Sequence, residues 1–284
     1  MAKDTKAKFK KVKNSKESKP KSSNSGISKS EPFAPEAHPF IKKLAANDRP
    51  TRDKALEALG NFLKTSKKIP EMEALKLWRG LFYSMWFSDR PRTQQKLADD
   101  LASLLSQLKP VNFFTFLDAF WVIMAREWEN LDVHRLDKFL MLLRRYVTAT
   151  FRRLKAEGWD SKWVEDYNKV ARHIPLNTLD HKVSNGIRFH IFDIYLDELE
   201  RVVKEGEEID KEEDIDWKSL LENVPVKELL QPIEEISKDS KFKIVRENAA
   251  EVLKDSRLIT WGIIEAPTLA DDESDDEDEW GGFE

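Results

Sequence analysis

From Pro39 to about residue 205, apolar side chains return every three or four positions in one segment after another, the spacing of a helix face. In PTRDKALEALGNFLKTS (50–66), Ala55, Leu56, Leu59, Phe62 and Leu63 share a face, and Pro50 falls in the first turn, where its missing N–H costs nothing. A second helix runs from Glu71 to about Phe87. It carries Trp78, Leu81, Phe82, Met85 and Trp86 inward and Leu77, Tyr83 and Phe87 on other faces, as expected of a helix with several neighbours. SDRPRTQQKLADDLASLLSQL opens a third. Residues 111–130 place Phe113, Phe116, Leu117, Phe120, Trp121, Met124 and Trp128 inward. Residues 131–158 do the same with Leu136, Phe139, Leu140, Leu143, Tyr146, Val147 and Phe151, and Gly158 is a suitable stop. A shorter helix closes at Pro175. In 185–203, Phe189, Phe192, Leu196, Leu199 and Val203 form one stripe and Ile187, Ile191 and Ile194 a second, so that helix is expected to be flanked on two sides.

The helices recur with an offset of 41 residues: Asp48-Arg49-Pro50 maps onto Asp89-Arg90-Pro91, Leu56 onto Leu97 and Leu63 onto Leu104. The match is loose, since Leu59 meets Asp100 and Phe62 meets Ser103. A helix pair every 40 or so residues is the rhythm of HEAT- and armadillo-type repeats. The expected fold is all-α, a HEAT/armadillo-like stack of antiparallel helix pairs, an α-solenoid. Only 9 glycines in 284 residues agrees with helices better than with tight sheet turns.

Charge divides the chain further. Residues 1–30 hold ten lysines against Asp4 and Glu17, whereas 271–284 hold nine acids and no base. The net charge of −4 therefore leaves the body nearly neutral, unlike a sequence-blind nucleic-acid binder, and RNA contact is expected to be local. The expected organisation is a basic disordered tail at 1–34, a helical-repeat domain at 35–205, an acidic linker at 206–216, capping helices within 217–255 (about 217–231 and 241–254), and an acidic tail at 256–284. The basic tail reads as a nuclear or nucleolar address, an arm on phosphate backbone, or a solubilising extension. RLITWGIIEAP, after Ser256, is apolar without helical support. Its Ile259, Trp261, Ile263 and Ile264 are candidates for partner binding.

The chain has no cysteine, which removes disulfides, zinc ribbons and thiol nucleophiles and suits a reducing compartment. No apolar run approaches the roughly 18 residues of a membrane span, and no secretory signal opens the chain, so a soluble intracellular protein is expected. Phosphate loops and metalloprotease motifs are missing, and His38, His134, His173, His181 and His190 are scattered over different elements. No catalytic residue, metal ligand or cofactor is expected. One charged feature stands out: Lys138, Arg145 and Arg152 recur at seven-residue spacing on the 131–158 helix, flanked by Arg144 and Arg153. The helix dipole favours cations in the last turn but does not account for Lys138 or Arg145. The stripe is a candidate contact for phosphates or an acidic partner, beside the plainer reading of a solvated face.

RPTRDKALEAL, LWRGLFYSMWFSDRPRTQQKLADDL, FWVIMAREWENLDVHRLDKFLMLLRRY and GIRFHIFDIYLDEL, in that order, resemble a fungal-sized member of the nucleolar ribosomal RNA-processing protein 1 family over about residues 35–205. The resemblance implies a non-catalytic, HEAT-like scaffold in the nucleus and nucleolus, required for processing of large-subunit pre-rRNA and bound to the pre-ribosomal large-subunit particle. It also implies partners among other assembly factors, namely a β-propeller factor, a Brix-domain factor and a small RNA-binding factor, with local rRNA contacts. The alternatives are a helical-repeat nuclear adaptor that binds basic cargo and an RNA-processing enzyme.

Overall fold

The computed structural model describes Lys43, Leu44, Ala46 and residues 48–180, 183–207 and 215–266. The basic segment 1–34, most of the acidic linker and the acidic run from 267 onward lie outside the described residues. Among the described residues there are eleven α-helices and no strand. They are α1 (Arg49–Thr65), α2 (Glu71–Trp86), α3 (Pro91–Gln107), α4 (Pro110–Glu127), α5 (Val133–Ala156), α6 (Ser161–His173), α7 (Asn185–Lys204), α8 (Trp217–Leu220), α9 (Val226–Asp239), α10 (Lys243–Leu253) and α11 (Ser256–Thr260).

From α1 to α7 each helix packs mainly on the one two places along, while α9 and α10 pack on each other and reach back three places to α6 and α7, which sorts the helices into two layers. α1, α3, α5, α7 and α10 lie side by side in one layer, and α2, α4, α6 and α9 form the other. Consecutive long helices are antiparallel, as the expected α-solenoid requires. The 41-residue offset is the step from α1 to α3: both carry their proline in the first turn. Asp48 also caps α1, its carboxylate accepting from the Thr51 amide at 3.0 Å, while its counterpart Asp89 caps nothing.

The layers meet in an aromatic core. Trp78, Phe82 and Met85 of α2 are fully buried. Trp78 packs edge-on to Phe120 of α4 (4.8 Å) and Tyr146 of α5 (5.0 Å), and Phe82 stacks on Phe139 at 4.6 Å. Removing one such ring costs on the order of 3–5 kcal/mol. Leu77, on another face of the helix, is buried as well, Phe87 is exposed, and Trp86, expected inward, is only half-buried, with the Arg135 guanidinium 4.6 Å above its ring. α5 stops where expected. Gly158 takes φ +67°, and the amides of Gly158 and Trp159 return to the Lys155 and Leu154 carbonyls.

Two expectations near the C-terminus fail. The segment expected at 217–231 is instead a single turn, α8, followed by a helix that starts after Pro225, because proline resets the chain direction there. α9 then contains Pro232, whose nitrogen has no hydrogen to give the Glu228 carbonyl four residues back. The Asn168 side chain of α6, itself buried, supplies the missing donor at 2.8 Å. Residues 256–260, expected to lack helix, form α11 behind an Asp255 cap.

Candidate functional site

α5, which carries the five cations singled out, lies between two helices of the same layer, α3 and α7. Neighbours on both sides decide what each cation can do.

Lys138 is not on a solvent face. It is 4% exposed, and its ammonium donates to the carbonyls of Trp86 (2.6 Å) and Ser88 (2.8 Å), closing the C-terminal end of α2. That end carries unsatisfied carbonyls and the negative pole of the helix, so a cation satisfies both. Burial holds the Lys138 pKa below the ordinary lysine value. Arg153 does similar work for α3: its Nη1 donates to the Leu108 carbonyl at 3.1 Å, its Nε to Glu157, and its guanidinium lies over Phe113 and Trp163. Lys155, which the seven-residue spacing does not pick out, closes α7 through the carbonyls of Val202, Val203 and Glu205 at 2.7–3.0 Å.

The other three form ion pairs across the layer. Arg152 grips Glu205 with two nitrogens at 2.5–3.0 Å, and this contact holds the carboxylate below its usual range. Arg145 Nε lies 2.8 Å from Asp99 of α3 but out of line for a hydrogen bond, so this is an ionic contact alone. Arg144 reaches Glu198 and, at 3.3 Å, Asp197. Glu198 is fully buried; burial pushes its pKa up, but Thr148 (2.5 Å), Arg144 and Arg201 (2.7 Å) outweigh that and hold it low. Asp197 also accepts from Arg257 of α11 at 2.9 Å, so the network joins α5, α7 and the C-terminal turn.

The structure thus brings Arg145, Arg152 and Arg153 together along a groove between α3 and α5, with Asp99 and Glu157 among them. Arg144 opens onto the neighbouring α5–α7 groove, and Lys138 belongs to neither. Arg152 remains 52% exposed at its side chain, and a surface ion pair is worth only ~0–1 kcal/mol, so exchanging a carboxylate for a phosphate there is cheap.

The apolar C-terminal candidates are divided in the same way. Trp261 is 3% exposed and lies against Trp217 at 5.5 Å, and Ile263 packs on the core. Ile259 is half-buried, and Ile264 is at the surface. Of the histidines, His173 meets Asp118 at 2.6 Å and His190 the Leu140 carbonyl at 2.9 Å; His38 and His181 lie outside the described residues. Among the described residues no group of acids and histidines is arranged to hold a metal ion. No described helix is long and apolar enough to cross a membrane.

Sequence reasoning missed a third groove, at the paired Asp-Arg-Pro helix starts. Leu44, Arg49, Arg52, Ser84, Phe87, Ser88, Arg90 and Thr93 are among the residues around it. The repeated Asp-Arg-Pro is the available signal, but on its own it indicates only the start of a helix.

A profile of the family described as nucleolar protein, Nop52, matches residues 35–281. Ribosomal RNA processing protein 1 homolog A of Mus musculus is 35% identical over 178 residues, 60% of this chain and 35% of the mouse protein. Ribosomal RNA processing protein 1 homolog B of Homo sapiens is 36% identical over 169 residues, 57% of this chain and 22% of the human protein. The Ribosomal RNA processing protein 1 homolog of Caenorhabditis elegans is 32% identical over 171 residues, 57% and 41% of the two chains. The chain thus spans well under half the length of these relatives.

Proposed function

Because this chain belongs to the Nop52 family of nucleolar proteins, we propose that it serves ribosomal RNA processing as a non-catalytic scaffold for assembly of the large ribosomal subunit. The observation that carries this reading is the family match from 35 to 281, which takes in the whole two-layer helical stack. Such a stack presents long lateral grooves to protein partners, with scattered cations for a few phosphates. In this reading the protein works in the nucleolus on large-subunit precursor particles. Its neighbours include a β-propeller factor, a Brix-domain factor and a small RNA-binding factor. The α3–α5 groove with Arg145, Arg152 and Arg153, the Arg144 edge, and the C-terminal Ile259 and Ile264 surface are the proposed contacts.

The test is gradient sedimentation of a nucleolar extract containing the tagged protein, with pre-rRNA followed after its depletion. Co-sedimentation with large-subunit precursors and accumulation of unprocessed large-subunit pre-rRNA are expected. A protein that stays at the top of the gradient, with pre-rRNA unchanged on depletion, defeats the reading.

A further inference from the structure

α1 and α3 are neighbours in one layer, and their Asp-Arg-Pro starts flank a groove floored by the end of α2. The groove holds about 420 Å³, within the ~300–1,000 Å³ of small-ligand clefts and too small for a partner domain.

Three independent features of its lining point to one ligand chemistry. First, the side chains of Arg90, on this groove, and Arg92, on the smaller pocket beside it between α1 and α3, are exposed and make no ion pair or hydrogen bond among the described residues. The other charges are mostly spoken for: Asp53 pairs with Arg49, Asp100 with Lys96, Arg52 donates to the Ala46 carbonyl, and Asp48 caps α1, which leaves Asp89 as the opposing acid. Second, the hydroxyls of Ser84 (2% exposed) and Ser88 (7% exposed) have no hydrogen-bond partner, and both residues line the groove. A buried hydroxyl without a partner is costly, and an incoming polar ligand removes the cost. Third, Phe87 at the groove wall is 62% exposed and is stacked on Tyr83 at 6.3 Å, which leaves a supported aromatic face in water. Guanidiniums without partners suit phosphates, and the open ring suits a base with no partner strand.

We propose that this groove binds single-stranded RNA, with one base stacked on Phe87, the adjoining phosphates on Arg90 and Arg92, and the Ser84 and Ser88 hydroxyls meeting polar groups that reach the floor. The proposal rests on the RNA-processing reading above and adds to it a site and a mode. An acidic peptide would satisfy the arginines but would leave the ring unused.

The test is fluorescence anisotropy of the full chain with a labelled uridine 12-mer, the same length of duplex RNA, and a poly-glutamate peptide, across a salt series. Phe87→Ala is expected to weaken the uridine oligomer about tenfold, with a much smaller effect on duplex. Arg90→Gln/Arg92→Gln is expected to reduce the slope of log K against log salt by about 1.4, since each single-strand phosphate neutralised by a cation contributes roughly 0.7. The three substituted side chains are exposed, and thermal melts should match the parent. Oligomer affinity within twofold of the parent in both variants would overturn the proposal, and so would preferential binding of poly-glutamate that Arg90→Gln/Arg92→Gln abolishes. Sedimentation with pre-ribosomal particles separates the two levels. Unchanged oligomer binding in variants of a protein that co-sediments rejects this groove alone, whereas a parent protein that never co-sediments rejects the wider function.

Discussion

Lys138, Arg145 and Arg152 share a helix, a charge and a seven-residue spacing, yet they end in different physical situations. Lys138 gives two charge-assisted hydrogen bonds to carbonyls 52 and 50 residues away, inside the protein; Arg152 holds Glu205 in water. Their substitutions should therefore differ. Lys138→Met leaves the α2 carbonyls without their donor and is expected to lower the urea-unfolding free energy by about 2 kcal/mol. Arg152→Gln removes a surface pair and should cost under ~1 kcal/mol. Equal costs for the two would contradict the capping role. The spacing alone could not separate them, because the fate of each cation depends on what α2, α3 and α7 bring alongside. A pairing such as Arg152 with Glu205 spans 53 residues, beyond any local pattern.

Helices α1 to α7 were legible because each is long enough for its apolar stripe to repeat several times. Their ends fall within a few residues of expectation, since proline, aspartate caps and Gly158 mark them. α8 and α11, at four and five residues, are too short to show a period. α9 is the instructive case, because its interior proline argues locally against a helix. The compensation comes from Asn168 on α6, so the helix exists through a tertiary contact. Asn168→Ala should cost about 1–2 kcal/mol in the parent. In a Pro232→Ala background, where the backbone amide of residue 232 can serve Glu228, the same change should cost about 1 kcal/mol less. A double-mutant cycle by chemical denaturation measures that difference, and strict additivity would show that the two residues are not linked. The candidate sites were less legible than the helices for a related reason. The Phe87–Arg90 groove exists only once α1, α2 and α3 have come together.

Across the whole molecule, ion pairs between helices tie stability to pH. Glu198, Glu205 and Asp255 are all held below the usual carboxylate range; the hydrogen bonds from Arg152 to Glu205 and from Arg257 to Asp255 are the leading causes for the latter two. A carboxylate with a depressed folded pKa contributes stability above its unfolded value, near 4.5 for glutamate, and that contribution is lost as pH falls through the folded value. The melting temperature should be nearly level from pH 7 to about 5 and fall more steeply below that. Glu198→Gln should melt lower at pH 7, and its gap from the parent should narrow as pH falls below the ordinary glutamate value; a constant gap in circular-dichroism melts would argue against the linkage. The two-layer order carries a last consequence, for how the chain is made. Every principal contact joins helices no more than three places apart in chain order, so a helix leaving the ribosome finds its partners already synthesised within the preceding few helices. Contacts of such short reach favour fast folding, and the stack can grow helix by helix from α1 during translation.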